Sequence, residues 1–110
     1  MKLPHIEQAV VAEQKIVCYL LSPTHEDGQH KARFFTSIGF RADDWETLAT
    51  AMKAHVAEHE LAKVEDSPFG IRYVVEGPLT APDGRRPAVR SVWFIDTDAD
   101  VPRFVTAYPL

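Results

Sequence analysis

One cysteine in 110 residues, Cys18, leaves this chain without an internal disulfide framework. Its surroundings, KIVCYLL, are apolar, so a buried thiol is expected there rather than a reactive one. No apolar run approaches the roughly 18 residues that a membrane-spanning helix needs, so a membrane is not among the expected partners. The start, MKLPHIEQAVV, lacks the charged opening, long apolar stretch and small-residue cleavage site of a signal peptide, and the chain reads as cytoplasmic. Repeats and low-complexity segments are missing, and the length fits one domain over residues 1–110. An excess of positive charge is missing too. The net charge of −4 argues against broad, nonspecific coating of nucleic acid.

The charge that is present is uneven. Residues 1–70 carry 7 Lys and Arg against 11 Asp and Glu, while residues 71–110 carry 5 arginines against 5 acids. Arginine suits bidentate contacts to phosphate or carboxylate, so a small anion site fits this half of the chain and a large basic footprint does not.

Periodicity gives the element order. Val10, Val11, Cys18 and Leu21 suggest a helix from about Glu7 to Leu21. The segment SPTHEDGQ reads as a loop. A short helix follows from Gln29 to Ser37, with Phe34, Phe35 and Ile38 on its apolar face and Gly39 as its stop. RADDWETLATAMKAHVAEHE is the clearest helix, with Asp43 and Glu46 at capping-box spacing and a stripe of Trp45, Leu48, Ala49, Met52 and Val56. Beyond Glu60 the period changes to two. LAKVE, GIRYVVEG, AVRSVWFID and RFVTAY read as strands, and PLTAPDGRRP as a long hairpin loop. The expected fold is α+β: two to three N-terminal helices packed on one face of a three- to four-stranded antiparallel sheet.

Several motifs invite chemistry. HVAEH, His55 to His59, matches a zinc-peptidase pattern, but it lies at a helix end with no third ligand nearby, so two histidines interacting with the helix dipole are expected. On that reading, replacing both leaves stability intact. DTDAD lacks the glycine and the glutamate of a calcium loop and reads as an acidic turn. Neither a metal nor a cofactor is expected. DGQHKARFF is more suggestive: histidine is the side-chain type suited to acid or base work at neutral pH, and His30, Arg33 and Ser37 share a helix flank. In the third strand Arg90, Val92 and Phe94 point one way and Val89, Ser91, Trp93 and Ile95 the other. In the last, Phe104, Thr106 and Tyr108 are expected on one face.

Three stretches, YLLSPTHEDGQHKARFFTSIGF, PFGIRYVVEGPLTAPDGRRPAVRSVWFID and PRFVTAYP, resemble an uncharacterised bacterial family of toxin-like domains. That family carries a G-x-H-K-A helix, a P-x-G-R hairpin and a terminal V-T-x-Y, and the similarity runs from about residue 15 to 109. It is similar in turn to the barnase–EndoU–colicin–RelE class of metal-independent ribonucleases. The resemblance implies RNA as substrate and a cognate antitoxin or immunity protein as partner. It also implies a site built from His30, Lys31, Arg90, Thr106 and Tyr108, with Arg85 and Ser91 contacting substrate; Arg33 joins them from its flank. His30 would act as acid or base, and Lys31, Arg85 and Arg90 would neutralise the phosphate. A second reading stands beside it: a non-catalytic binding module, such as an immunity-like or adaptor domain, whose acidity suits a basic partner.

Overall fold

A computed structural model of the protein describes residues 1–22, 24–26 and 29–110. Asp27 and Gly28, the start of the DGQHKARFF segment, and Pro23 lie outside the described residues. Three α-helices precede four strands: α1 (Glu13–Lys15), α2 (Gln29–Ser37), α3 (Trp45–Glu58), β1 (Leu61–Ser67), β2 (Gly70–Pro78), β3 (Ala88–Asp96) and β4 (Arg103–Pro109). The strands form an antiparallel sheet in the order β1-β2-β3-β4, as expected for short connections. None of the helices among the described residues is long and apolar enough to cross a membrane.

The N-terminal segment departs from the expected single helix. A 3-10 turn spans Ile6–Gln8, and Val10 then makes a parallel bridge to Arg103, with Val10 N–H donating to the Pro102 carbonyl at 2.9 Å. The β-branched pair Val10–Val11 extends the sheet past β4 instead of continuing a helix. Helix α1 begins only at Glu13 and widens into a π-helical turn over Ile16–Leu20, closed by Leu21 N–H on the Ile16 carbonyl at 2.7 Å. This turn buries Ile16 and Leu20 and leaves Cys18 exposed, which corrects the expectation of a buried thiol.

Helix α2 ends as its sequence foretells. Gly39 adopts φ +108, its N–H bonds to the Thr36 carbonyl, and Phe40 N–H returns to the Phe35 carbonyl, a Schellman closure. In α3 the flanking residue is Asp44, not Asp43. Asp43 is bound by Arg41 at 2.6 Å, and Thr47 Oγ1 donates to Asp44 Oδ2 at 2.7 Å.

The core lies between the helices and one sheet face. Leu48, Met52 and Val56 of α3 meet Tyr73 and Val75 of β2, Val89 and Trp93 of β3, and Phe104 and Ala107 of β4. His55 belongs to this face at 1% exposure, three residues beyond Met52. Two carbonyls, of Gly77 at 3.0 Å and Val89 at 3.1 Å, face its Nε2. Carbonyls only accept, so Nε2 carries the proton and Nδ1 accepts from Ser91 Oγ at 3.0 Å. Ser91 Oγ in turn accepts from Trp93 Nε1 at 3.0 Å. Both imidazole nitrogens are thus spent within the core, and His59 Nε2 bonds to the Pro78 carbonyl at 2.9 Å. The expectation that both histidines interact only with the helix dipole, so that replacing them leaves stability intact, is corrected for His55.

Two predictions follow from this packing. Trp93, fully buried, should cost about 3–5 kcal/mol as Trp93→Ala, while Trp45, which is only half-buried against the core, should cost less than half of that as Trp45→Ala; urea denaturation of both variants checks the order. Burial, foremost, holds the His55 imidazole below its ordinary pKa, against the Gly77 and Val89 carbonyls, which favour the proton. The unfolded chain therefore takes this proton first as pH falls through about 6.5. Stability should be full above that pH and decline below it, and His55→Gln should flatten the decline while lowering the plateau.

Candidate functional site on the open sheet face

The opposite sheet face carries polar side chains in cross-strand rows. Antiparallel register sets Glu76 beside Arg90 and Arg90 beside Tyr108, then Val74 beside Val92 and Val92 beside Thr106, then Arg72 beside Phe94 and Phe94 beside Arg103. Strict alternation along β4 would put Phe104, Thr106 and Tyr108 together. A β-bulge prevents this: Val92 pairs with Thr106 but Trp93 pairs with Phe104, so Val105 is an extra residue. Phe104 therefore enters the core, against Trp93 at 5.4 Å between ring centroids, while Thr106 and Tyr108 reach the open face.

Four expected site residues come together here. Arg90 Nε donates to Glu76 Oε2 at 2.6 Å and its NH1 to the Tyr108 hydroxyl at 3.2 Å. These acceptors, Tyr108 first, hold the Arg90 pKa above its ordinary value, so the guanidinium keeps its charge. The Arg90 guanidinium carbon lies 5.5 Å, and Lys31 Nζ 5.8 Å, from the Tyr108 ring centroid. Lys31 also donates to the Tyr19 hydroxyl, and that hydroxyl is 3.2 Å from Thr106 Oγ1. Tyr19 is the residue that sequence reasoning missed. It sits in an apolar run, and only the π-helical turn aims it at Lys31 and β4. Glu76 was missed as well, because its pairing with Arg90 exists only once the β2–β3 register is set. Ala62, Lys63, Arg72 and Val74 complete the lining of a depression of about 240 Å³ next to Glu76, Arg90 and Tyr108.

The other expected residues lie elsewhere. His30 precedes Lys31 on α2 and is exposed; Arg33 is exposed on the same helix. Arg85 is exposed in the β2–β3 loop, with Nε 3.0 Å from Asp83 Oδ2. Ser91 is a correction: it points into the core, fully buried between His55 and Trp93, so it cannot contact a substrate on the open face.

The face differs electrostatically from the chain that carries it. Five cations, Lys31, Lys63, Arg72, Arg90 and Arg103, stand against three carboxylates, Glu65, Glu76 and Asp96, a local excess of +2 on a protein of net charge −4. Such a surface can attract an anion, and its paired arginines keep one orientation.

The model of a family described as a domain of unknown function, DUF6883, matches residues 2–110. The chain belongs to that family. Among proteins of curated function, none matches this sequence. In solved structures, the chain is similar to one from a "Contact-dependent growth inhibition toxin - immunity protein complex from Klebsiella pneumoniae 342", with a TM-score of 0.73 and 19% identity over 92% of this chain and 99% of that one. At that identity the likeness is one of fold.

The bridge from Lys31 through Tyr19 to Thr106 ties α2 and the π-helical turn to β4. Tyr19→Phe should lower stability by about 1–3 kcal/mol, as for two intramolecular hydrogen bonds at roughly 0.5–1.5 kcal/mol each. An unchanged urea midpoint would mean that water replaces the hydroxyl without loss.

Proposed function

We propose that this protein is a toxin-system domain that cleaves RNA without a metal ion, acting on the open sheet face. What carries the reading is the convergence of Lys31, Arg90, Thr106 and Tyr108 on one open surface, with His30 adjacent to Lys31 in the chain. The fold likeness to a chain of a toxin–immunity complex supports the toxin-system part of it. In this mechanism a base removes the proton of a ribose 2′-hydroxyl, the 2′-oxygen attacks phosphorus, and the 5′-oxygen leaves with a proton from an acid. His30 takes one of the two proton-transfer roles. Lys31 and Arg90 neutralise the phosphorane oxygens, and Tyr108 and Thr106 orient the phosphate.

A second reading has its own support. Arg90 and Arg72 are both paired with acids of the same chain, Glu76 and Glu65, and the protein is acidic overall. Those features favour a non-catalytic, immunity-like module that binds a basic protein.

The deciding experiment is a chelator-treated digest of total RNA and tRNA, with mapped ends, alongside growth of a host expressing the chain alone. Cleavage and slowed growth are expected for the wild type. His30→Gln should lose roughly two or more orders of magnitude of cleavage, because glutamine cannot titrate. Lys31→Ala and Arg90→Ala should each lose less. A folded wild type that cleaves no RNA and leaves growth unchanged would favour the immunity-like reading.

A further inference from the structure

We infer that Phe94 is a stacking platform for a base of single-stranded RNA, flanked by Arg72 and Arg103, and that it extends the face beyond the Lys31–Arg90–Tyr108 cluster. The inference rests on the RNA reading above and names its substrate class.

Phe94 belongs to neither the core cluster nor the residues packed against it, and it is partly buried on the open face. A glycine lies beside it. Gly70 adopts φ +151, and a Cβ there would collide first with the Ile95 carbonyl and then, at 2.6 Å, with Phe94 Cε2, so glycine lets β2 approach the β3 backbone closely and the ring edge lies over it. The cross-strand partners on either side are Arg72 and Arg103, and the Arg103 guanidinium lies 5.1 Å from the ring centroid. Each arginine is steadied by a carboxylate: Glu65 for Arg72, and Asp96, at 3.0 Å from Nε, for Arg103. An aromatic ring with one guanidinium beside it and a second arginine at the neighbouring cross-strand position, on a surface of local charge +2, is a combination that single-stranded nucleic acid uses: bases stack on the ring and phosphates meet the cations. Phe94 lies four positions along β3 from Arg90, about 13 Å, so a strand touching both spans more than one nucleotide. A duplex keeps its bases stacked inside and offers none to the ring.

The test is binding, separate from cleavage. A fluorescein-labelled, ten-nucleotide 2′-O-methyl RNA of mixed sequence cannot undergo transesterification and serves as the probe in an anisotropy titration. Wild type should bind it, and bind the same sequence as a duplex more weakly. Phe94→Ala should weaken binding by about 5- to 100-fold, the range for loss of one stacked base. Phe94→Tyr should restore it to within about twofold, which rules out misfolding as the cause. Lys53→Ala, exposed on α3 across the sheet, should bind as wild type does. Absence of binding by wild type, equal affinity of Phe94→Ala, or displacement of the probe by polyglutamate as effectively as by unlabelled RNA would each overturn the inference; the last outcome would mark the face as a dock for an acidic protein. Probe binding that depends on Phe94 in a protein that cleaves no RNA would sink the cleavage mechanism and leave the platform standing. Cleavage whose KM ignores Phe94→Ala would do the reverse.

Discussion

The chain of hydrogen bonds from Trp93 through Ser91 to His55, ending on the Gly77 and Val89 carbonyls, is the constraint on which the architecture turns. It joins α3 to β2 and β3 inside an otherwise apolar core. Buried polar groups are tolerated only when all are paired, and every buried side-chain nitrogen and oxygen among the described residues has a partner. Sliding α3 by one turn would orphan the His55 imidazole and the Ser91 hydroxyl proton together. The apolar stripe of Leu48, Met52 and Val56 makes α3 dock, and His55 selects where it docks. By fixing the covered face, the relay also fixes which face of the sheet is left open.

The open face is then shaped by one extra residue in β4. Val105 breaks the alternation, so Phe104 completes the core while Thr106 and Tyr108 stand with Arg90 on the other side. That side is polar at its surface but not hollow. Val74 and Val92 are buried although they lie outside the core cluster. The stems of Arg72, Arg90 and Glu76 and the ring of Tyr108, their cross-strand and diagonal neighbours, can cover them while the charged ends remain at the surface. Paired arginines and tyrosines thus serve both as the cover of a small second apolar layer and as a preset array of donors. The same strand, β3, carries a neutral relay on one face and charge on the other.

Much of the fold was legible because its signals are local. Period-two alternation with β-branched and aromatic residues marked β2, β3 and β4, and Ala88–Asp96 was read with its observed bounds. Gly39 marked the end of α2, and the Leu48–Met52–Val56 stripe marked α3. His55 was misread because the stripe was traced through apolar residues only. At three residues beyond Met52 and seven beyond Leu48 it lay on the buried face all along, and helical spacing alone could have found it. The N-terminal segment misled for the opposite reason: apolar residues at helical spacing occur there, but the edge of β4 captures Val10, and the helix then forms with a π-helical turn.

The sequence by itself determined the α+β class, the antiparallel sheet and the residue types available for chemistry, since these follow from periodicity, turn residues and composition, which act over a few neighbours. Only the tertiary structure decided which of those residues meet. Lys31 reaches Tyr19 and Tyr108, and Tyr19 reaches Thr106 across 87 positions of chain, because of a π-helical turn, a bulge and a strand register. Ser91 turns inward on the same strand that carries Arg90 outward. Such meetings depend on the packing of distant elements, and a step of one residue in register exchanges core for surface.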